Sequence, residues 1–578
     1  MFSRRRSGAP HPDLDLPTER LAPGPSDAGE APPPETGQRS THLAQLRWWV
    51  LAIAAVVVAL SVVRAFAPMT AYPGDIWRQS DTATIARNFA ANGMNIFFPQ
   101  INWGGAGPGY VETEFPLMPW LTAATYLALG EHIVLGRLVS LAFMLIAAGA
   151  FWGLARRVLP GAAARWALAA FFLSPAFMRW GTAFMPEATV LAFYLLALLG
   201  FCRWLQEDRP VLLAGAAAAT STAALVKPTS LHVGLVVALW VVFAARDRLR
   251  RPSLYVAGLA ALVAPALWLR HAASLHATYG NTFGVISGGD SKWGSVSLWL
   301  SPGFYLGNLR TETIFVYGFV GLPLAVLGVV WLWRNRSRSG PGTTPTATQP
   351  LGLSPLPLLG AGAVALTLYY FAAGRYTSTD LGIQYHVYSL PYAAIAIGAG
   401  TAAALARVRA RWNRRVVVAA GAALAVLLGA QAVNVLTQSL RDRAGVFGTC
   451  AIELDAVSTP TDLALISTTS ATTEDGVTNN YQEPIVFFLA DRRGWSLPAD
   501  RHTPEEVARL RDAGARFLVV GDPQLVPPGG PLATWLSDTS RQLRTIEQNG
   551  CAVWDLARHP TPVPDTEPGD AGDEAGGS

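Results

Sequence analysis

Two aspartates, Asp75 and Asp81, sit in the segment PGDIWRQSDTATIARNFAANG, and two glutamates, Glu112 and Glu114, follow in PGYVETEFPLMPW. A carboxylate within hydrogen-bond reach of a hydroxyl can take its proton as a new bond forms, so a cluster of this kind is suited to activating an acceptor. Aromatic residues are interleaved with it: Trp77, Phe89, Phe97, Phe98, Trp103 and Tyr110. Residues 76–91 are compatible with a helix, on which Asp81, Ile85 and Asn88 fall at spacings of four and three and share a face. Asp75 precedes this stretch, where its bland role is a helix cap and its chemical role is that of an alternative base. The bland role of Asp81 is a solvated position or an ion pair with Arg78 or Arg87; the chemical role is that of a general base.

The elements that must position this cluster are membrane helices. Only 14% of the 578 residues are charged, against about 25% in soluble domains. Eleven apolar runs recur, at about 47–66, 133–155, 162–178, 189–205, 211–226, 231–245, 254–269, 313–333, 353–371, 388–406 and 416–436. Such runs are long enough to cross a hydrocarbon core of about 30 Å. Residues 116–130 are apolar but short and contain proline, which suits a juxtamembrane or re-entrant helix. Basic residues concentrate in alternate connectors, such as Arg156–Arg157 and Arg246 to Arg251, so those connectors and the N-terminus are expected on the cytoplasmic side. The acidic loop, the sequence around Glu187, Lys227 and its neighbours, the segment from Arg375 to His386 and the C-terminal region then share the outer face. The net charge of +5 reflects these topological arginines, and no nucleic-acid partner is expected. Lysine occurs only at Lys227 and Lys292, both on the expected outer face.

Residues 1–43 and 559–578 are rich in Pro, Gly, Ser and charge and are expected to be disordered, the first as a cytoplasmic tail. Residues 44–438 form the membrane part, with the first outer loop at 67–132, and 439–558 read as an extracytoplasmic α/β domain. In that domain DLALISTT, ARFLVVGD and CAVWDL read as strands, and EPIVFFLADRRG, TPEEVARLRDAG and PLATWLSDT as helices. Cys450 and Cys551 flank it and are available for a disulfide in an oxidising compartment, while Cys202 reads as packing. No metal-ligand spacing is legible and no cofactor is expected, with a divalent ion left open.

The order GDIWRQSDTATIARNF, PGYVETEFPLMPW, GRLVS, then MPE at Met185 to Glu187, KP at Lys227–Pro228 and QYHVYSLP from Gln384 resembles the bacterial branch of the glycosyltransferase C superfamily. That branch is similar to protein mannosyltransferases and to the lipid A aminoarabinose transferase. The resemblance implies a fold of about eleven transmembrane helices in the plasma membrane and the transfer of a sugar from a polyprenyl-phosphate carrier to an outer acceptor. It places an acidic base in the first outer loop, carried to Asp81 with Asp75 as the alternative. The chain departs from the family where Arg78 and Gln79 stand near an expected Asp-Glu pair, and where Phe115 follows Glu114 in place of a lysine.

A lipid phosphate leaves as a stable anion and needs cations or hydrogen-bond donors. Lys227, Arg375 and His386 are the expected phosphate ligands. Trp77, Arg78, Gln79, Glu112, Glu114 and Glu187 are expected to contact acceptor or sugar. Attack opposite the phosphate would invert the anomeric centre. The acceptor class (protein, lipid or cell-wall glycan) is open, and the competing reading is a transporter or flippase of lipid-linked saccharides, which usually shows inverted repeats that this chain lacks.

Overall fold

The computed structural model describes residues 47–69, 75–286, 290, 292–336, 353–441, 445–473 and 476–557. The expected terminal tails lie outside the described residues. Each of the eleven apolar runs is helical. Among the described residues, seven helices can cross a membrane by length and composition, and an eighth span results if Pro302–Tyr317 and Gly321–Arg334 count as one. Gly161–Leu173, Pro210–Val226 and Pro228–Ala244 are shorter apolar helices, as is the re-entrant candidate Leu117–Leu129. The chain is a multi-pass membrane protein.

Two expectations change. The run at 313–333 is not one straight helix: its two parts meet at 91°, and Gly318 at the corner has a φ of 67°, a conformation costly for residues with a Cβ. The helix expected at 254–269 instead continues as Pro252–Tyr279. The expected outer loop therefore begins with a helical arm that carries His271 over the first loop, its Nε2 lying 2.7 Å from the Phe97 carbonyl.

The first outer loop is a built layer. Its helix, Asp75–Asn92, buries Ala83, Ile85, Ala86 and Phe89 and packs between Leu117–Leu129 and the short helix Pro484–Leu489. Strand β1, Val111–Glu112, pairs in parallel with β2, Asn281–Thr282, joining two outer loops. Arg137, from the GRLVS segment, donates to the Ala65 and Ala67 carbonyls and so satisfies the end of the first membrane helix.

Among the described residues, the C-terminal region has five strands: β3 Leu463–Thr468, β4 Arg493–Pro498, β5 Ala515–Val520, β6 Arg541–Arg544 and β7 Ala552–Asp555. Their order is β4-β3-β5-β7-β6, with β3 parallel to β4 and β5 and the remaining pairs antiparallel. Strands β4 and β6 are not among the expected strands. The first follows a turn at Asp491, whose φ is 51°, and begins in the last two residues read as a helix, Arg493 and Gly494. The second is the short polar edge RQLR, which has no apolar alternation to reveal it.

Alternate residues of the central strands serve two cores. Leu465, Leu518 and Val520 pack with Val507, Leu510 and Leu536 of the outer helices. Ala464, Ile466, Phe517 and Val519 share a core with Ile85, Phe89, Ile101 and Trp103 of the first outer loop. Both faces are covered, which explains why LALIST and ARFLVV read as nearly continuous apolar runs. Cys450 and Cys551 form a disulfide spanning 101 residues of chain.

Candidate active site

The Asp75–Asn92 helix turns Arg78, Asp81, Thr82 and Ile85 to one side, where they line a 30 Å³ cavity with Glu114, Pro116 and Phe283. That is room for one water or one hydroxyl group. Asp81 is buried. Its Oδ1 accepts a hydrogen bond from Trp103 Nε1 at 3.0 Å, and its Oδ2 is buried without a hydrogen-bond partner. Burial pushes the Asp81 carboxyl up to about 7, against the opposing pull of the Arg78 guanidinium and the Trp103 hydrogen bond. Neither bland role foreseen for Asp81 is realised as a direct contact: Arg78 pairs with Glu114, and Arg87 with Glu131 and Asp491.

Arg78, Glu114 and Phe283 also line a larger cavity of 360 Å³. Three cations face it, each beside a carboxylate: Arg78 with Glu114, Lys227 with Glu187 at 2.5 Å, and Lys292 with Asp290 at 3.9 Å. Burial would push the Glu114 carboxyl up, but Arg78, Lys227 and Lys292 together hold it below the usual range. Tyr376, Gln384, Tyr385 and Trp77 add further walls. The remaining wall comes from the C-terminal domain through Asn479 and Asn480. Trp77 Nε1 fixes that domain in place by donating to the Gln482 carbonyl at 2.7 Å.

Of the residues expected from sequence, Trp77, Arg78, Glu114, Glu187 and Lys227 come together in this cavity, and Asp81 adjoins it. The others serve elsewhere. Gln79 is buried and accepts from the Phe184 backbone N–H at 3.0 Å. Glu112 accepts from Thr282 Oγ1 and the Ile286 N–H, tying the two outer loops together. His386 does not reach the cavity as a phosphate ligand, because it is buried with Nδ1 2.8 Å from Glu312 and Nε2 2.8 Å from the Thr377 carbonyl. Arg375 is not part of the lining; its guanidinium lies 5.8 Å from the centre of the Tyr376 ring, which is. Asp75 is the first residue of the helix, and its side chain lies outside the described residues.

Sequence reasoning missed Asp290, Asn479, Asn480 and Glu483. Glu483 caps Pro484–Leu489 by accepting from Ile485 N–H at 2.7 Å. Its own burial first, and the nearby Asp81 charge among lesser causes, push it up to about 8. Lys292 was noticed as a rarity but given no role. The signal was there: a chain that uses arginine almost throughout keeps lysine only at the two positions that face this cavity.

Residues 113–269 match the family described as dolichyl-phosphate-mannose-protein mannosyltransferase. Among solved structures, ArnT from Cupriavidus metallidurans, bound to undecaprenyl phosphate, superposes with a TM-score of 0.57 at 14% identity over 89% of this chain and 99% of that one. The oligosaccharyltransferase of Archaeoglobus fulgidus, complexed with Zn and sulfate, gives 0.50 at 11% identity over 85% and 71%. No curated protein sequence matches. The superpositions show that the chain shares the fold of these two proteins. It is similar to the protein mannosyltransferases over residues 113–269 and to ArnT in fold.

Proposed function

We propose that the protein transfers a sugar from a polyprenyl-phosphate carrier to an acceptor on the outer face of the plasma membrane, with inversion at the anomeric carbon. The observation that carries this reading is the pairing of two adjoining cavities: one faced by Arg78, Lys227 and Lys292, the other holding the unpartnered oxygen of Asp81. The acceptor hydroxyl approaches Asp81 Oδ2 and gives up its proton as its oxygen bonds to the sugar carbon. The bond from that carbon to the phosphate oxygen breaks, and the carrier phosphate leaves with both electrons and a negative charge. Lys227 and Lys292 stabilise that charge. The phosphate anion leaves without needing a proton, so one carboxylate suffices. The ArnT structure, solved with undecaprenyl phosphate, supports the choice of carrier.

In this reading the N-terminus is cytoplasmic and the C-terminal region, with the cavities, lies outside, which the alternation of arginine-rich connectors supports. A cysteine introduced at the exposed Ser537 reports the side directly. Labelling of intact cells by a membrane-impermeant maleimide is expected, and protection until lysis would reverse the topology. The chemical test uses the full chain in nanodiscs, a radiolabelled polyprenyl-phosphate sugar and crude envelope acceptor. Asp81→Asn should abolish transfer while eluting as a folded monodisperse protein. Unchanged transfer in that variant would remove Asp81 as the base.

A further inference from the structure

Trp103, whose indole holds Asp81, also lines a separate cavity of 170 Å³ between the outer loops and the C-terminal domain. Its other walls include Asn281, Tyr481, Trp495, Arg501 and Arg509. The seam that forms it is a backbone pairing. Gly105 N–H donates to the Gly494 carbonyl at 2.6 Å, Gly494 N–H donates to the Asn102 carbonyl at 3.0 Å, and Gly104 bridges to Trp495. The first outer loop thus covers the open edge of β4. Gly105 has a φ of 84° and lies directly against the Trp495 indole, so a Cβ there would collide with the ring. The Trp495 indole is thereby held against the backbone of the first loop.

The lining combines aromatic rings with polar side chains. Arg509 is held by two 2.7 Å hydrogen bonds to Glu506, which also lines the cavity. Gln482, whose backbone carbonyl anchors Trp77, lines it too, and its side-chain Oε1 is buried with no hydrogen-bond partner. Ring faces suit the C–H faces of a sugar, and polar groups in orthogonal directions suit its hydroxyls. A cavity of about 150 Å³ admits one six-membered ring, so this one has the capacity for a single sugar unit. We propose that it is a subsite for a sugar ring of the acceptor, which makes the acceptor a glycan-bearing molecule. The proposal rests on the transferase reading for the word acceptor; the affinity for sugar stands on the cavity itself.

The test is saturation-transfer NMR on the full chain in nanodiscs, with methyl glycosides and disaccharides of mannose, arabinose, galactose and glucose as probes. At least one probe should receive saturation on its ring protons, with affinity falling about tenfold in Tyr481→Ala and in Arg501→Ala, the effect of losing one good contact. Binding should persist in Asp81→Asn. In the transfer assay the same two variants should raise the acceptor KM about tenfold and leave the donor KM in place. Absence of saturation for every probe would overturn the proposal, as would binding and acceptor KM that neither variant alters. Saccharide binding that the variants weaken, in a protein that transfers no sugar from any donor, would support the sugar site and overturn the transferase reading instead.

Discussion

Replacing Trp103 with phenylalanine removes a hydrogen bond from Asp81 and keeps most of the ring that packs against Phe283. Burial pushes this carboxyl up to about 7, and the indole N–H works against that push. A hydrogen bond to a charged group is worth about 1.5–3 kcal/mol. At 1.36 kcal/mol per pKa unit its loss should lift the Asp81 pKa by about one to two further units. A general base acts only when deprotonated, so transfer by the native enzyme should rise about tenfold per unit of pH and level off above about 7. In Trp103→Phe the rising limb should move upward by about one to two units and the plateau should change far less. The assay is the initial rate of transfer from a labelled lipid-phosphate sugar between pH 5 and 9.5, at saturating donor. A native limb in the ordinary carboxylate range, or a limb that stays in place in the variant, would refute the assignment of Asp81 as the base.

The same raised pKa has a consequence for stability. A carboxyl that binds its proton more tightly in the folded state favours folding at low pH, and that contribution is lost as pH rises through the folded value. The window therefore runs from 3.8 to about 7, and the full cost of the buried charge is about 4 kcal/mol. Asp81→Asn, though inactive, should melt at a higher temperature than the native protein at pH 8 and at nearly the same temperature at pH 4.

Lys292→Gln should raise the donor KM about tenfold, the loss of one charge-assisted contact, with little change in fold because this side chain is partly exposed. The comparable change at Lys227 must be made together with Glu187→Gln, since the single change would strand a buried carboxylate; a donor KM that neither variant moves would remove both lysines from phosphate binding. Reducing the Cys450–Cys551 disulfide, which closes 101 residues of chain, should cost about 5 kcal/mol of stability by loop entropy. Scanning fluorimetry with and without reductant reads this as a lower melting temperature, and coincident curves would mean that the bridge adds nothing.

Much of this architecture was legible because one signal is strong in any chain: apolar runs of membrane length located the helices. The helix bearing Asp81 was legible from spacing alone. What stayed hidden depended on distance in sequence. Nothing local to Asn479 or Asn480 shows that they roof a cavity whose other residues include Trp77, Lys227 and Tyr385. His386 looked available because its partners, Glu312 and the Thr377 carbonyl, are brought to it only by the fold. Strand β4 was misread because the neighbour on its outer edge is a segment of the first outer loop, so pairing, not propensity, makes it a strand.

The pairing of cations with carboxylates in the larger cavity bears on how a lipid phosphate could enter. Among the described residues, Arg78, Lys227 and Lys292 face Glu114, Glu187 and Asp290. Burying either set alone would cost several kcal/mol per ion, and pairing offsets that cost before any substrate arrives. A phosphate must then compete with carboxylates already in contact. The weakest pair yields first. Lys292 is 3.9 Å from Asp290, beyond hydrogen-bonding distance, whereas Lys227 is 2.5 Å from Glu187, and the Lys292 side chain is the more exposed of the two lysines. Lysine suits such exchange because its ammonium sits on a flexible stem and can swing from one oxygen to another, whereas the planar guanidinium of Arg78 is committed to Glu114. Under the proposed transfer, Lys292 would meet the phosphate on entry and Lys227 would hold it at the reacting centre.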